Sequence, residues 1–142
     1  MNRPLVAVGC LIVSKDRSVL LVKRKNPPNE GLWAIPGGKV EYGETIINAL
    51  KREMKEETNL DVSVSKLVAI VEVISKEYHY VILDFECKPL NDNLSPSSDA
   101  LDVSYIPFDK LNEIKTTQTT YEMLERYFKG EELPIFITHI ST

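Results

Sequence analysis

The sequence predicts an α/β domain. Runs rich in Val and Ile, bounded by polar turns, occupy the first third of the chain and return between Val62 and Pro89. One amphipathic helix lies between these groups of strands and a second follows near the C-terminus.

Leu5 to Val13 and Val19 to Arg24 are β-like runs separated by Ser-Lys-Asp-Arg-Ser, a polar turn that predicts a hairpin. Lys25 to Gly31 is a loop, because Pro27, Pro28 and Gly31 interrupt any regular pattern. Leu32 to Ile35 forms a short strand leading into a Pro36-Gly37-Gly38 turn. The first helix runs from about Thr45, a natural N-cap, to Thr58. Its core stripe is Ile47, Leu50 and Met54, spaced i, i+3 and i+7. Val62 to Ser75 and Tyr78 to Pro89 are two further strands, Asn91 to Ser98 an exposed loop, and Val103 to Pro107 a short strand. The second helix spans about Gln118 to Phe128, with Tyr121, Leu124 and Phe128 at i, i+3 and i+7 and Gly130 as its stop. The apolar tail Leu133 to Ile140 reads as an edge strand or as a surface covered by a second copy, making a homodimer.

Length and charge bound the function. At 142 residues the chain is expected to be one domain, 1–142, large enough for a substantial core. A net charge of −4 argues against a general surface for nucleic-acid polymers, which requires excess Lys and Arg. Cys10 and Cys87 each lie in an apolar stretch and read as separate buried thiols without zinc-site spacing. Arg3 followed by Leu5 to Val13 mimics a short signal peptide, but Ser14-Lys15-Asp16-Arg17 follows with no small-residue cleavage site, so it reads as a first strand. No segment reaches the roughly 20 apolar residues that span a bilayer, and a cytoplasmic protein without membrane contact is expected.

The chemistry is concentrated between Gly38 and Leu60, GKVEYGETIINALKREMKEETNL. Residues at i, i+3 and i+4 of a helix share a face, so Glu53, Glu56 and Glu57 converge within one arc. Like charges so close call for protonation or neutralisation, and a hard divalent cation with oxygen ligands supplies the latter. Ala49, one turn before Glu53, reads as a small residue leaving room for a ligand. Gly37 and Gly38 permit close backbone approach to a phosphate or metal.

This run resembles the Nudix box, G-x5-E-x7-R-E-U-x-E-E-x-G-U with U a bulky apolar residue, matched by Gly38, Glu44, Arg52, Glu53, Met54, Glu56, Glu57 and Leu60. Asn59 stands where the pattern has glycine, and Asn tolerates the left-handed conformation of a helix C-terminus best among the non-glycine residues. The resemblance implies an α/β/α sandwich with a mixed β-sheet. It also implies hydrolysis of a pyrophosphate bond in a nucleoside diphosphate derivative, with Mg²⁺ as cofactor and Mn²⁺ able to substitute. Carried over by position, Glu53 and Glu57 are principal metal ligands, Glu56 a ligand or base, and the Gly37 carbonyl a further ligand. Arg52 holds Glu56 and Glu44 orients the loop.

Outside the box, Arg24 stands where relatives place a phosphate-contacting Arg. Asp99, in preference to Asp102, matches the segment that supplies a late acidic ligand or base. Trp33 reads as packing for the loop, and His79 and His139 as structural or exposed. HYVILDFECKP is similar to small Nudix enzymes acting on ADP-ribose and related sugar nucleotides, or on damaged nucleoside triphosphates. The reading taken is ADP-ribose, although the proline many such enzymes carry after the box is absent between Leu60 and Tyr80. Tyr78 and Tyr80 keep dinucleoside polyphosphates as a third class. A non-catalytic nucleotide sensor is the rival outside enzymes, and such domains usually lose the box acids.

Overall fold

A computed structural model describes residues 2–97 and 99–141. The elements are β1 (Leu5–Leu11), β2 (Ser18–Arg24), β3 (Trp33–Ala34), β4 (Gly37–Lys39), α1 (Ile46–Thr58), β5 (Val62–Ile74), β6 (His79–Pro89), β7 (Ala100–Pro107), α2 (Gln118–Phe128) and β8 (Ile135–Ile140). A 3₁₀ helix, Phe108–Glu113, joins β7 to the loop before α2.

Five strands form a mixed sheet in the order β4-β1-β6-β5-β8, and three form a small antiparallel sheet in the order β3-β2-β7. The alternation of β1 and β2 builds two cores. Val8, Cys10, Ile12 and Leu20 pack with Ala49, Leu50 and Met54 of α1. Leu11, Val19 and Leu21 pack with Met123 and Leu124 of α2 and Ile135 and Ile137 of β8. One helix therefore covers each face, which is the expected α/β/α sandwich.

Local signals hold at the helix ends. Thr45 caps α1 by accepting from the Asn48 N–H, and Asn59 ends it in the left-handed conformation at φ 65°. The long-range arrangement differs from expectation at several points. The hairpin between the first two strands survives only near its turn, at the Val13–Val19 bridge, because β1 pairs with β4 and β6 while β2 pairs with β3 and β7. Gly37 and Gly38 belong to strand β4 rather than to a free turn. The strand expected from Val103 begins at Ala100, and the loop before it runs through Ser97 among the described residues, with Ser98 outside them.

The stripes also shift. Ile47 is 41% exposed, while Ala49 is fully buried and packs into the core instead of leaving room for a ligand. Tyr121 is likewise exposed, and Met123 takes its place in the core. Both shifts have one cause: the sheet's twist selects which arc of each helix is covered, and a wide apolar arc cannot reveal its own centre. Cys10 and Cys87, expected as separate thiols, are joined in a disulfide with Cα atoms 5.6 Å apart. Cys10 is the Cα partner of Phe85, two residues before Cys87 in β6, so both cysteines lie on neighbouring strands in the α1-side core.

The tail forms edge strand β8, parallel to β5, with Phe136 and Ile140 exposed. Among the described residues no helix is long and apolar enough to cross a membrane. Leu50 is completely buried under α1. Leu50→Ala is expected to cost about 2–5 kcal/mol of stability, measurable by denaturant unfolding.

Candidate functional site

The site forms where the N-terminal part of β4 meets the exposed side of α1. Gly37 is the non-hydrogen-bonded partner of Gly9 in the antiparallel β1–β4 pair, so its N–H and carbonyl point away from β1. The N–H donates to Glu57 Oε1 at 2.7 Å. Gly38 has no side chain for a steric reason: a Cβ there would collide with the Glu53 carboxylate.

Glu57 is 7% exposed. Burial pushes its carboxyl up to about 8; the Gly37 N–H opposes this, the charge of Glu53 adds to it, and Arg24 and Asp99 contribute smaller effects of opposite sign. Glu53 is also raised, first by burial and then by Glu56 and Asp99, against the pull of Arg52.

Arg52 is the hub behind these acids. Its Nε and Nη2 donate to both oxygens of Glu44 at 2.7 and 2.9 Å, and Nη2 also donates to the Lys39 carbonyl at 3.0 Å. Its Nη1 reaches Glu53 at 2.7 Å and the two oxygens of Glu56 at 3.3 Å each. The expected hold on Glu56 is therefore present but the longest of the set. Glu44 is the tighter partner, held down to about 2 chiefly by the Arg52 guanidinium, with help from the Glu41 N–H. Arg52 thus ties the loop before α1, the β4 backbone and two helix acids into one unit.

Glu53, Glu57, Gly37, Gly38, Arg24 and Asp99 all line one cleft of about 410 Å³. Arg24, expected to contact a phosphate, faces the same cleft as the acids, with its Nε donating to the Pro28 carbonyl at 2.8 Å. Asp99 is held near α1 by the preceding loop, where Ser95 and Ser97 donate to the Thr58 and Glu57 carbonyls and Asn59 Nδ2 donates to Asn93. Asp102 lies apart, exposed on β7 opposite Lys23. Glu56, Glu44 and Arg52 do not line the cleft. Trp33 packs into the α2-side core, as expected of a residue that stabilises the loop.

The donor chemistry fits a hard divalent cation. Two largely buried glutamates, both with raised proton affinity, share a recess with an aspartate, and an outward backbone carbonyl lies beside them. Among the described residues no three acidic, His or Cys side chains already surround a common point. One oxygen of Glu53 is engaged by Arg52 and one of Glu57 by the Gly37 N–H.

Asp84 was not among the candidate residues. It is 5% exposed on β6 and lines the same cleft. The available signal was an acid at an inward position of an alternating strand, where Tyr80 and Ile82 precede it on the same face.

The NUDIX domain family model matches residues 3–127. An ADP-ribose pyrophosphatase of Methanocaldococcus jannaschii is 35% identical over 113 residues, covering 78% of this chain and 66% of that protein. An 8-oxo-dGDP phosphatase of Homo sapiens is 32% identical over 93 residues, 66% of this chain and 28% of that protein. A crystal structure of a NUDIX hydrolase from Nitrosomonas europaea superposes with a TM-score of 0.83 at 24% identity, covering 99% of this chain and 81% of that one. The chain belongs to the Nudix hydrolase family, a family of pyrophosphohydrolases acting on nucleotides.

Proposed function

We propose that the chain hydrolyses the pyrophosphate bond of ADP-ribose or a related sugar nucleotide, with Mg²⁺ held at the cleft. The observation that carries this reading is the convergence of Glu53, Glu57, Asp99, the outward Gly37 backbone and Arg24 on one recess. The likeness to an ADP-ribose pyrophosphatase supports the substrate.

Glu53, Glu57 and the Gly37 carbonyl would hold the ion, with Glu56 and Asp99 as further ligands or as proton acceptor. When bound, Mg²⁺ neutralises phosphate charge and makes water more nucleophilic. Water attacks one phosphorus, its proton passes to a carboxylate, and the bridging oxygen leaves with the other phosphate, giving AMP and ribose 5-phosphate. Arg52 positions Glu53 and Glu56 through charge-assisted bonds, and losing such a positioning partner typically costs about 10–100-fold. Arg24 contacts a substrate phosphate.

This gives Arg24→Ala a defined signature. It removes a phosphate contact and leaves the acids in place, so KM for ADP-ribose should rise while the metal requirement is unchanged. The assay is kcat/KM for ADP-ribose and for an oxidised deoxynucleoside triphosphate, on wild type and variant. The second reading, hydrolysis of oxidised nucleotides, draws on the likeness to the human 8-oxo-dGDP phosphatase. A wild-type preference for the triphosphate would select it.

A further inference from the structure

The five-stranded sheet carries a row of matched residues across its α2-side face: Gly37, Gly9, Asp84 and Ala69 are successive Cα partners on β4, β1, β6 and β5. Asp84 is the only one of these with a side chain beyond a methyl group, so its carboxyl stands in a trough of small residues. Gly9 makes room for that carboxyl, since a Cβ at that position would strike Asp84 Oδ1. The neighbouring row, Ala7, Ile82 and Val71, gives the same face an apolar floor, and Tyr80 follows one row further along.

Among the described residues Asp84 has no hydrogen-bond or ion-pair partner, although it is almost completely buried. An acid in that state costs stability unless a ligand satisfies it. Strand spacing of roughly 4.8 Å puts it about 10 Å from Gly37, two strands away from the loop that faces the acids. Its carboxyl, over Gly9, stands between the Gly37 loop and the apolar floor of Ala7, Ile82 and Val71, on which a flat ring fits.

We propose that Asp84 anchors the nucleobase: its carboxyl, seated over Gly9, accepts a hydrogen bond from the exocyclic amino group of the substrate's purine, with the floor of Ala7, Ile82 and Val71 carrying the ring. The inference rests on the cleft being a nucleotide site and specifies what reads the base there. Burial alone, with no cation in reach, lifts Asp84 to about 7. An uncharged N–H donor is suited to this, because the carboxyl oxygen accepts from it whether or not the other oxygen carries a proton.

The test uses matched monophosphates that differ by one amino group: AMP against purine riboside 5′-monophosphate, and GMP against IMP. Binding is measured by calorimetry on wild type, Asp84→Asn and Asp84→Val, with AMP against dAMP as a control for the sugar. Wild type should favour the amino-bearing member of at least one pair by about 10–100-fold. Asp84→Val should bind both members of that pair within about threefold, and Asp84→Asn, which keeps an acceptor oxygen, should retain most of the preference. Asp84→Val should melt no lower than wild type, because it removes an unpartnered buried acid, so lost binding would not reflect misfolding. An undiminished amino preference in Asp84→Val would overturn the proposal. So would wild-type indifference to the amino group in both pairs, or an effect of Asp84→Val confined to AMP against dAMP. Monophosphate binding needs no turnover, so a failure to cleave any nucleotide would sink the hydrolysis reading and leave this result standing by itself.

Discussion

Chelation of divalent metal is expected to abolish hydrolysis, and added Mg²⁺ to restore it. Burial raises both Glu53 and Glu57, the latter to about 8, so the metal-free cleft favours their protonated forms more than water does. Neither proton acceptance nor phosphate binding is favoured while these acids are protonated or unneutralised beside an anionic substrate. A divalent ion reverses both conditions by displacing the protons and offsetting the negative charge. The effect should be near-complete loss, read as phosphate release or product formation with excess chelator and after Mg²⁺ replacement. Full turnover in excess chelator would remove the metal from the account.

Glu57→Gln should lower turnover by roughly 10²–10⁴-fold while preserving the fold. The amide oxygen still accepts the Gly37 N–H bond, so the β4 loop keeps its place on α1. The substitution removes the charge a cation needs. It should also leave the metal-free variant at least as stable as wild type near neutral pH. The sign follows from Glu57, whose folded value of about 8 lies above its ordinary 4.5. The folded state keeps that proton where the unfolded chain has lost it, so this contribution is full below pH 4.5 and is lost as pH rises through 8. Gln carries no such titration. Glu56→Gln is the companion variant: it lies outside the cleft lining, and near-native turnover there would move the proton-acceptor role to Asp99.

What was legible in the sequence was local. The α1 boundaries, the Thr45 cap and the left-handed Asn59 follow from side-chain and backbone chemistry within a few residues, and the structure has all three. The pairing of Glu53 with Glu57 at the cleft follows helical spacing, whereas Glu56 lies outside the cleft lining. Less visible was the division of labour among them, because Arg52 draws Glu44, Glu53 and Glu56 toward itself while the Gly37 N–H draws Glu57 inward. Spacing alone cannot anticipate a partner that sits 13 to 20 residues away, such as the Lys39 carbonyl or the Gly37 amide. The separation of β1 and β2 into two sheets and the Cys10–Cys87 bond depend on strand register across most of the chain. Asp84 was hidden for the same reason: only the β1–β6 register shows that its carboxyl lies over Gly9 at the cleft lining.

The claim that buried acids form a divalent-metal centre is tested most directly by the pH dependence of Mg²⁺ affinity, measured by equilibrium titration without substrate. Because Glu57 must release a proton held up to about 8, affinity should strengthen as pH rises toward that value, by about tenfold per pH unit for one proton released. It should level off above it. The same titration on Glu57→Gln should give weak affinity with little dependence on pH in this range. An affinity in wild type that stays flat from about pH 6 to about pH 9 would contradict the account.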